Sequence, residues 1–197
     1  MNKVETFINS KMKLISLEKD ILDVGGGKGF NKWLFKYKEL FNDCNYKTFD
    51  YDDATGADII GDIHNMPVKS ESVDAIICSS VLEHVENPHI AVKEMFRILK
   101  NNGKIFVYVP SIYPYHARKN HYQDYWRFFD DSLRLLFKDF SYFEIVKRGG
   151  YFMAFSFFVP YQNKFRNILN VISYFFDKIF KTKNRTTTAG YYIYAIK

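Results

Sequence analysis

At 197 residues, with 47% hydrophobic and 25% charged side chains, the chain can bury one ordinary core without staples and has the balance of a globular, soluble domain rather than a disordered one. Its formal charge of +6 comes from Lys and Arg spread along the sequence, the pattern of a solvated surface, so a nucleic-acid partner is not favoured. Cys44 and Cys78 form no C-x-x-C pair, which argues for a reducing compartment without disulfides, while 20 Phe and 15 Tyr exceed what one core asks for, so that something apolar is expected to be contacted.

Residues 1–19 lack the apolar run of a signal peptide and carry Lys, Glu and Asp throughout, so a cytoplasmic location is expected. Val4, Phe7, Ile8, Met12, Leu14 and Ile15 are spaced as an amphipathic lead-in helix, covering a sheet edge or the mouth of a site. Ile21-Leu22-Asp23-Val24 reads as a buried parallel strand, and the glycines after it as a tight strand-to-helix turn where backbone approaches a ligand closely. Trp33, Leu34, Tyr37, Leu40 and Phe41 then recur at helical spacing. A dinucleotide fingerprint counted from Gly25 and Gly27 needs a third glycine where Phe30 stands, and a phosphate loop needs Ser or Thr where Gly29 follows Lys28.

A second strand is expected over 46–49, ending at Asp50-Tyr51-Asp52-Asp53. A carboxylate at that tip, Asp50 by position, can accept from both hydroxyls of an adenosine ribose, although the run of acids also suits turn and cap duty. Residues 57–60 make a short third strand and 73–78 a hydrophobic central one; Ser79 at its tip points to the same rim as the glycine loop. A helix over 88–99 is opened by Asn87 as cap with Pro88 at its first position, and is closed by Lys100-Asn101-Asn102-Gly103 before a strand over 104–109.

Residues 110–128 form a long aromatic and polar loop at the ligand-bearing rim. Tyr115, Tyr125 and Trp126 offer faces for stacking on a sugar or aromatic acceptor, Arg127 can fork a carboxylate or phosphate, and His116 or His121 can take a proton. The alternative has Trp126 and Phe128 packing beneath the next helix and Arg127 paired with Asp124. A helix over 130–137, opened by Asp130-Asp131-Ser132, and strands over 141–148 and 190–197 complete the pattern.

Before the last strand lies a hydrophobic helical insertion, 151–185. Its first ten residues are almost wholly apolar yet too short to span a bilayer. Residues 165–180 read as a helix with a narrow polar stripe (Asn167, Asn170, Ser173 or Tyr174, Asp177, Lys181) and a broad apolar face, followed by Lys181, Lys183 and Arg185. Such a helix can lie in a membrane interface, lid its own site or pair with a second copy.

Asp23-Val24-Gly25-Gly26-Gly27-Lys28-Gly29 resembles the first motif of class I S-adenosylmethionine-dependent methyltransferases of the type 11-like kind. Gly61-Asp62, Val81-Leu82-Glu83-His84-Val85 and Arg97-Ile98-Leu99-Lys100-Asn101-Asn102-Gly103 are similar to the same family in the right order, and the likeness resumes in the last strand. It implies one domain over 1–197: an α/β, Rossmann-like, doubly wound sheet of seven strands, mostly parallel with an antiparallel last strand. The implied cofactor is S-adenosyl-L-methionine, with the glycine loop against its methionine half, Asp62 accepting from the adenine amine and the Ile63 backbone donating to the ring. Cofactor contacts are thus expected at Asp23, Gly25, Gly26, Gly27, Asp50, Tyr51, Asp62, Ile63 and Ser79.

Some small-RNA and quinone members bind a divalent ion through E-x-x-E-H; here Ser80 takes the place of the first acid of that segment before Glu83-His84, and no metal is expected. Tyr113-Pro114-Tyr115-His116 followed by Asp124-Tyr125-Trp126-Arg127-Phe128 resembles a subgroup associated with cell-envelope glycan synthesis. The implied reaction is methyl transfer to O or N of a small or lipid-linked acceptor. The thioether leaves neutral, so catalysis is in-line positioning, with His116, His84 or His121 as base where the nucleophile arrives protonated. Peripheral membrane contact through 151–185 and a homodimer fit this reading. Its rivals are a nucleotide-sugar or NAD-binding enzyme on a similar sheet, which Phe30 disfavours, and a non-catalytic cofactor-binding or membrane-associating module.

Overall fold

The computed structural model describes residues 3–30, 32–119, 121–182 and 186–197; Lys183 and Arg185, the basic residues expected after the last helix, lie outside them. Helix α1 (Lys3–Ile15) leads into β1 (Asp20–Val24), a 3₁₀ helix (Lys32–Phe41), β2 (Asn45–Asp50) and the two-residue β3 (Ile59–Ile60). Then come β4 (Val73–Ser79), α2 (Pro88–Ile98), β5 (Leu99–Pro110), α3 (Asp130–Leu136) and β6 (Tyr142–Lys147). A hairpin of α4 (Tyr151–Ser156) and α5 (Arg166–Ile179) precedes β7 (Gly190–Ile196).

The seven strands lie in the order β3-β2-β1-β4-β5-β7-β6. Those from β3 to β5 are parallel, and β7 runs antiparallel to both β5 and β6, as a doubly wound sheet with a reversed last strand requires. The central strands read as unbroken apolar runs because both of their faces are covered. Ile76, Cys78, Ile105 and Val107 pack with Val92 and Met95 of α2 and Leu133 of α3. Ala75, Ile77 and Phe106 pack with Phe7 and Met12 of α1 and with Leu34 and Tyr37 of the 3₁₀ helix. Each large aliphatic buried this way contributes about 2 kcal/mol.

Several boundaries differ from the pattern in the sequence. Helix α1 lies on the sheet face and reaches the edge strand β6 through Lys11 and Glu144, 2.7 Å apart. The run after the glycine loop is a 3₁₀ helix in which Leu34, Tyr37 and Phe41 turn inward while Leu40 stays exposed. Phe30 stacks on Tyr46 at 4.2 Å, filling the position a dinucleotide site keeps open with glycine. Helix α2 has no glycine-closed end: Leu99 already pairs with Val73, and Asn102 takes the positive φ of 62° in the strand that follows. At α3, Ser132 Oγ bonds both the N–H and the carbonyl of Phe129, so the serine, not the two aspartates, closes the cap.

The hairpin is inside out. The residues that α5 buries are Ser173 and Asp177, and Asp177 is fully buried, accepting from the N–H groups of Gly150, Phe152 and Met153 and from the Thr182 hydroxyl. Ile168, Val171, Ile172, Phe175 and Ile179 face outward. Among the described residues no helix is long and apolar enough to cross a membrane.

Candidate active site

The C-terminal ends of β1, β2, β4 and β5 open on one hollow of about 820 Å³, within the size range of small-molecule sites. Its floor is the glycine loop. The Gly25 N–H donates to the Phe49 carbonyl at 2.7 Å, and the residue holds φ at 75°, where an added Cβ would sit 2.3 Å from Val81 Cγ2. Asp23 is turned beneath the loop, accepting from the Tyr46 hydroxyl at 2.5 Å, and burial pushes its carboxyl up to about 7. Asp23, Gly26 and Gly27 are not among the residues lining the hollow, whereas Gly25 is.

Asp50 and Tyr51 line the hollow from the tip of β2, and the Asp50 carboxylate accepts from the Asp52 N–H at 3.3 Å. Cap duty falls to Asp52, which accepts from the Ala54 N–H at 2.9 Å and meets His121 Nδ1 at 3.0 Å. Asp62 lines the hollow beside buried Ile63; it accepts from the His64 N–H at 2.9 Å and pairs with His64 Nδ1 at 2.6 Å, which hold its carboxyl below the usual range. Ser79 closes this half, its hydroxyl accepting from Trp33 Nε1 at 3.2 Å.

The other half is a buried acid between two imidazoles. Glu83 is 1% exposed, its Oε2 has no hydrogen-bond partner among the described residues, and burial pushes its carboxyl up to about 8. His84 Nδ1 lies 2.5 Å from the Gln123 carbonyl, and His116 Nδ1 lies 3.1 Å from the Pro114 carbonyl and 3.2 Å from Asp124. A carbonyl only accepts, so in the neutral rings Nδ1 carries the proton and Nε2 is left with its lone pair. The two Nε2 atoms stand 3.8 and 3.9 Å from Glu83 Oε1. One ligand atom from each of the three residues falls within 4.8 Å of the other two, a donor set able to hold a divalent cation or share a proton.

Spacing along the chain could not reveal this cluster, because His116 arrives from the long loop; the sequence treats Glu83 only as half of a lost metal pair. Ser80, in the vacant acid's place, lines the hollow with φ at 59°.

The loop explains which expected acceptor contacts reach the hollow. The backbone oxygen of Glu83 accepts from the N–H groups of Tyr125 (2.8 Å) and Trp126 (3.1 Å), pinning the strand of loop beside the cluster. Tyr125 and His121 line the hollow; Tyr115 is 73% exposed and does not. Trp126 Nε1 donates to the Val85 carbonyl at 2.9 Å. Arg127 is spent on Asp124 at 2.6 and 2.7 Å and on the carbonyls of Tyr113 and Pro114. Burial would raise the Asp124 carboxyl, but the Arg127 and His116 bonds outweigh it and hold it at about 2. Trp126 and Arg127 thus build the loop rather than the cavity wall, where Tyr113, Tyr122 and Arg148 stand instead.

Residues 22–107 match a family model described as a methyltransferase domain. The chain is 31% identical over 105 residues to an uncharacterized protein of Methanocaldococcus jannaschii, across 52% of this chain and 46% of that protein. It is 28% identical over 105 residues to a probable S-adenosylmethionine-dependent methyltransferase of Mycolicibacterium smegmatis, across 47% of this chain and 38% of the other. The matches thus span less than half the length of these curated relatives. The fold is shared with a SAM-dependent methyltransferase of Archaeoglobus fulgidus at a TM-score of 0.64 and 15% identity, covering 98% of this chain and 93% of that one. Motif order, strand order and family match agree: residues 22–107 match a methyltransferase domain, and the seven-stranded order with its reversed strand β7 is the fold of S-adenosylmethionine-dependent methyltransferases.

Proposed function

We propose that the chain transfers a methyl group from S-adenosylmethionine to an oxygen or nitrogen of a small or lipid-linked acceptor, in a step of cell-envelope glycan synthesis. The observation that carries this reading is a single hollow with two unlike halves, Gly25, Asp50 and Asp62 on one side and Glu83, His84 and His116 on the other. The first half fits the cofactor's chemistry. Asp50 would hold the ribose hydroxyls, Asp62 and Ile63 the adenine, and the Gly25 backbone and Ser79 the methionine half. Bound there, S-adenosylmethionine supplies an electrophilic methyl whose neutral leaving group requires no acid. The second half then serves the acceptor. His116 is the base that placement favours, since Asp124 stands 3.2 Å from its Nδ1 and holds the ring, while burial lowers the basicity of His84. The Asp124–Arg127 pair fixes the loop that carries His116, so positioning and proton removal depend on the same few bonds.

A lipid-linked acceptor is supported by the outward apolar face of α5 and by its neighbour. Phe157, just after α4, packs on Tyr113 of the cavity wall at 4.7 Å between ring centres. Lys164 before α5 and Lys178 and Lys181 at its end are exposed, and the sole acid between residues 150 and 182, Asp177, is buried. An apolar surface flanked by cations suits an anionic bilayer, whereas a symmetric second copy would set like charges together. Peripheral membrane contact follows from this reading.

The test is to incubate the chain with labelled S-adenosylmethionine and with lipid and polar extracts of envelope material, following S-adenosylhomocysteine release and the labelled product. Release tied to a lipid-soluble or glycan product is expected. Cofactor binding without release in any extract would leave the non-catalytic module, and a melting shift with NAD but not with S-adenosylhomocysteine would favour the dinucleotide rival.

A further inference from the structure

The wall of the hollow holds a cation for which the described residues supply no acid. Arg148 follows β6, and its guanidinium donates to the Tyr108 hydroxyl at 2.7 Å while lying 5.4 Å from the ring centre of Tyr108 and 5.1 Å from that of Phe157. Among the described residues it forms no ion pair with a carboxylate; the polar groups that act on its charge are the hydroxyls of Tyr108, Tyr192 and Tyr113. The acid of the hairpin, Asp177, is committed to backbone N–H groups and to Thr182.

A second guanidinium deepens the imbalance. Arg166 lies 4.2 Å from the centre of the same Phe157 ring, bonds Ser156 and Gln162, and keeps a buried Nε without a partner among the described residues. Burial and the nearby Arg148 charge both act to lower its hold on a proton. Among the described residues no acid stands between the two guanidiniums; the tyrosines around Arg148 offset its burial, whereas Arg166 carries a cost that a shared anion would relieve.

Their place in the sheet says whose anion it is. Tyr108 sits on β5 and pairs with Tyr192 of β7, whereas Gly25 and Asp50 sit at the ends of β1 and β2. We propose that Arg148 binds an anionic oxygen group of the acceptor, a phosphate or a carboxylate, at the end of the hollow nearest the α4–α5 hairpin. The inference rests on the methyl-transfer reading only for the identity of that molecule as acceptor.

Phenylglyoxal labelling of the full chain loaded with S-adenosylhomocysteine, read by peptide mass spectrometry, tests it on the unaltered protein. Inorganic pyrophosphate and glucuronate form the phosphate and carboxylate arms. Protection of Arg148 by at least one of them, by about tenfold, is expected, and titration calorimetry of the protecting anion should weaken by about tenfold in Arg148→Gln, the loss of one charged hydrogen-bond set. S-adenosylhomocysteine affinity should stay the same in that variant, which also reports that it folds; the labelling decides the matter if it does not. Failure of both anions to protect Arg148 overturns the proposal. So does equal loss of S-adenosylhomocysteine and anion binding in a folded Arg148→Gln, which would assign the guanidinium to the cofactor. Lack of S-adenosylhomocysteine binding by the unaltered chain would instead sink the methyl-transfer reading and leave the anion result standing.

Discussion

Asp50 and Asp62 enter the hollow from different strand ends, and their existing partners separate them. Asp62 already serves the His64 backbone and ring, while Asp50 accepts only one long bond from Asp52 among the hydrogen bonds seen here. The acid with lone pairs to spare is the one able to take two ribose hydroxyls. Asp50→Ala should therefore weaken S-adenosylhomocysteine binding by about 1–3 kcal/mol in calorimetry, the cost of leaving the diol unpaired, and unchanged affinity would remove Asp50 from the site. On the acceptor side, His116→Gln should cut methyl transfer to a hydroxyl acceptor by about a hundredfold or more while leaving S-adenosylhomocysteine affinity unchanged. An equal loss of cofactor affinity would show His116 to be structural. The place of Asp50 at the hollow was legible in the sequence because strand tips follow from local patterns, and that of Asp62 through the resemblance of Gly61-Asp62 to a methyltransferase motif. Arg127 was not, since its choice between a ligand and Asp124 depends on the path of the loop, and Glu83 emerged as an acid-base group only once the fold had set two histidines beside it.

At the scale of elements, the hairpin reverses the usual rule that a helix turns its apolar stripe inward. Periodicity in the sequence gave α5 two faces; which face is inward was decided by Asp177, a carboxylate that satisfies the open N–H groups at the start of α4. Asp177→Ala would orphan those donors at about 1–3 kcal/mol each, so the hairpin should come loose and be cut by protease between residues 150 and 182, with S-adenosylhomocysteine binding retained by the separate sheet core. Resistance equal to that of the unaltered chain would show that the hairpin stands without its buried acid. The outward face makes its own prediction. Val171 and Phe175 are 71% and 57% exposed, so replacing both with Glu should not disturb the fold. Flotation with phosphatidylglycerol vesicles should fall by about tenfold or more in that double variant. No flotation of the unaltered chain, or equal flotation of both, would end the membrane reading.

For the molecule as a whole, the sheet was readable because its central strands are apolar on both faces and α2 links β4 to β5 across one of them, the pattern of a doubly wound α/β sheet. What sequence could not supply is the electrostatic state of the two acids buried under the site, which depends on what surrounds them. Asp23 and Glu83 ionise near pH 4 in an unfolded chain, but at about 7 and about 8 in the folded one, chiefly through burial. Between those values the folded state holds protons that the unfolded state has released, so both acids make stability fall as pH rises through this window. Their penalty is absent below about pH 4 and complete above about pH 8. His84, whose basicity burial lowers, works the other way, gaining stability as pH rises through its ordinary value of about 6.5. Glu83→Gln removes one contribution without changing shape, so the difference between its melting curve and that of the unaltered chain isolates Glu83. The variant should match the unaltered chain near pH 4 and exceed it by on the order of a few kcal/mol near pH 9. A constant difference across that range would mean that Glu83 is ionised throughout in the folded protein. It would then face His84 and His116 as a fixed negative charge and raise their basicity, and near neutral pH the cluster would attract a cation instead of sharing a proton.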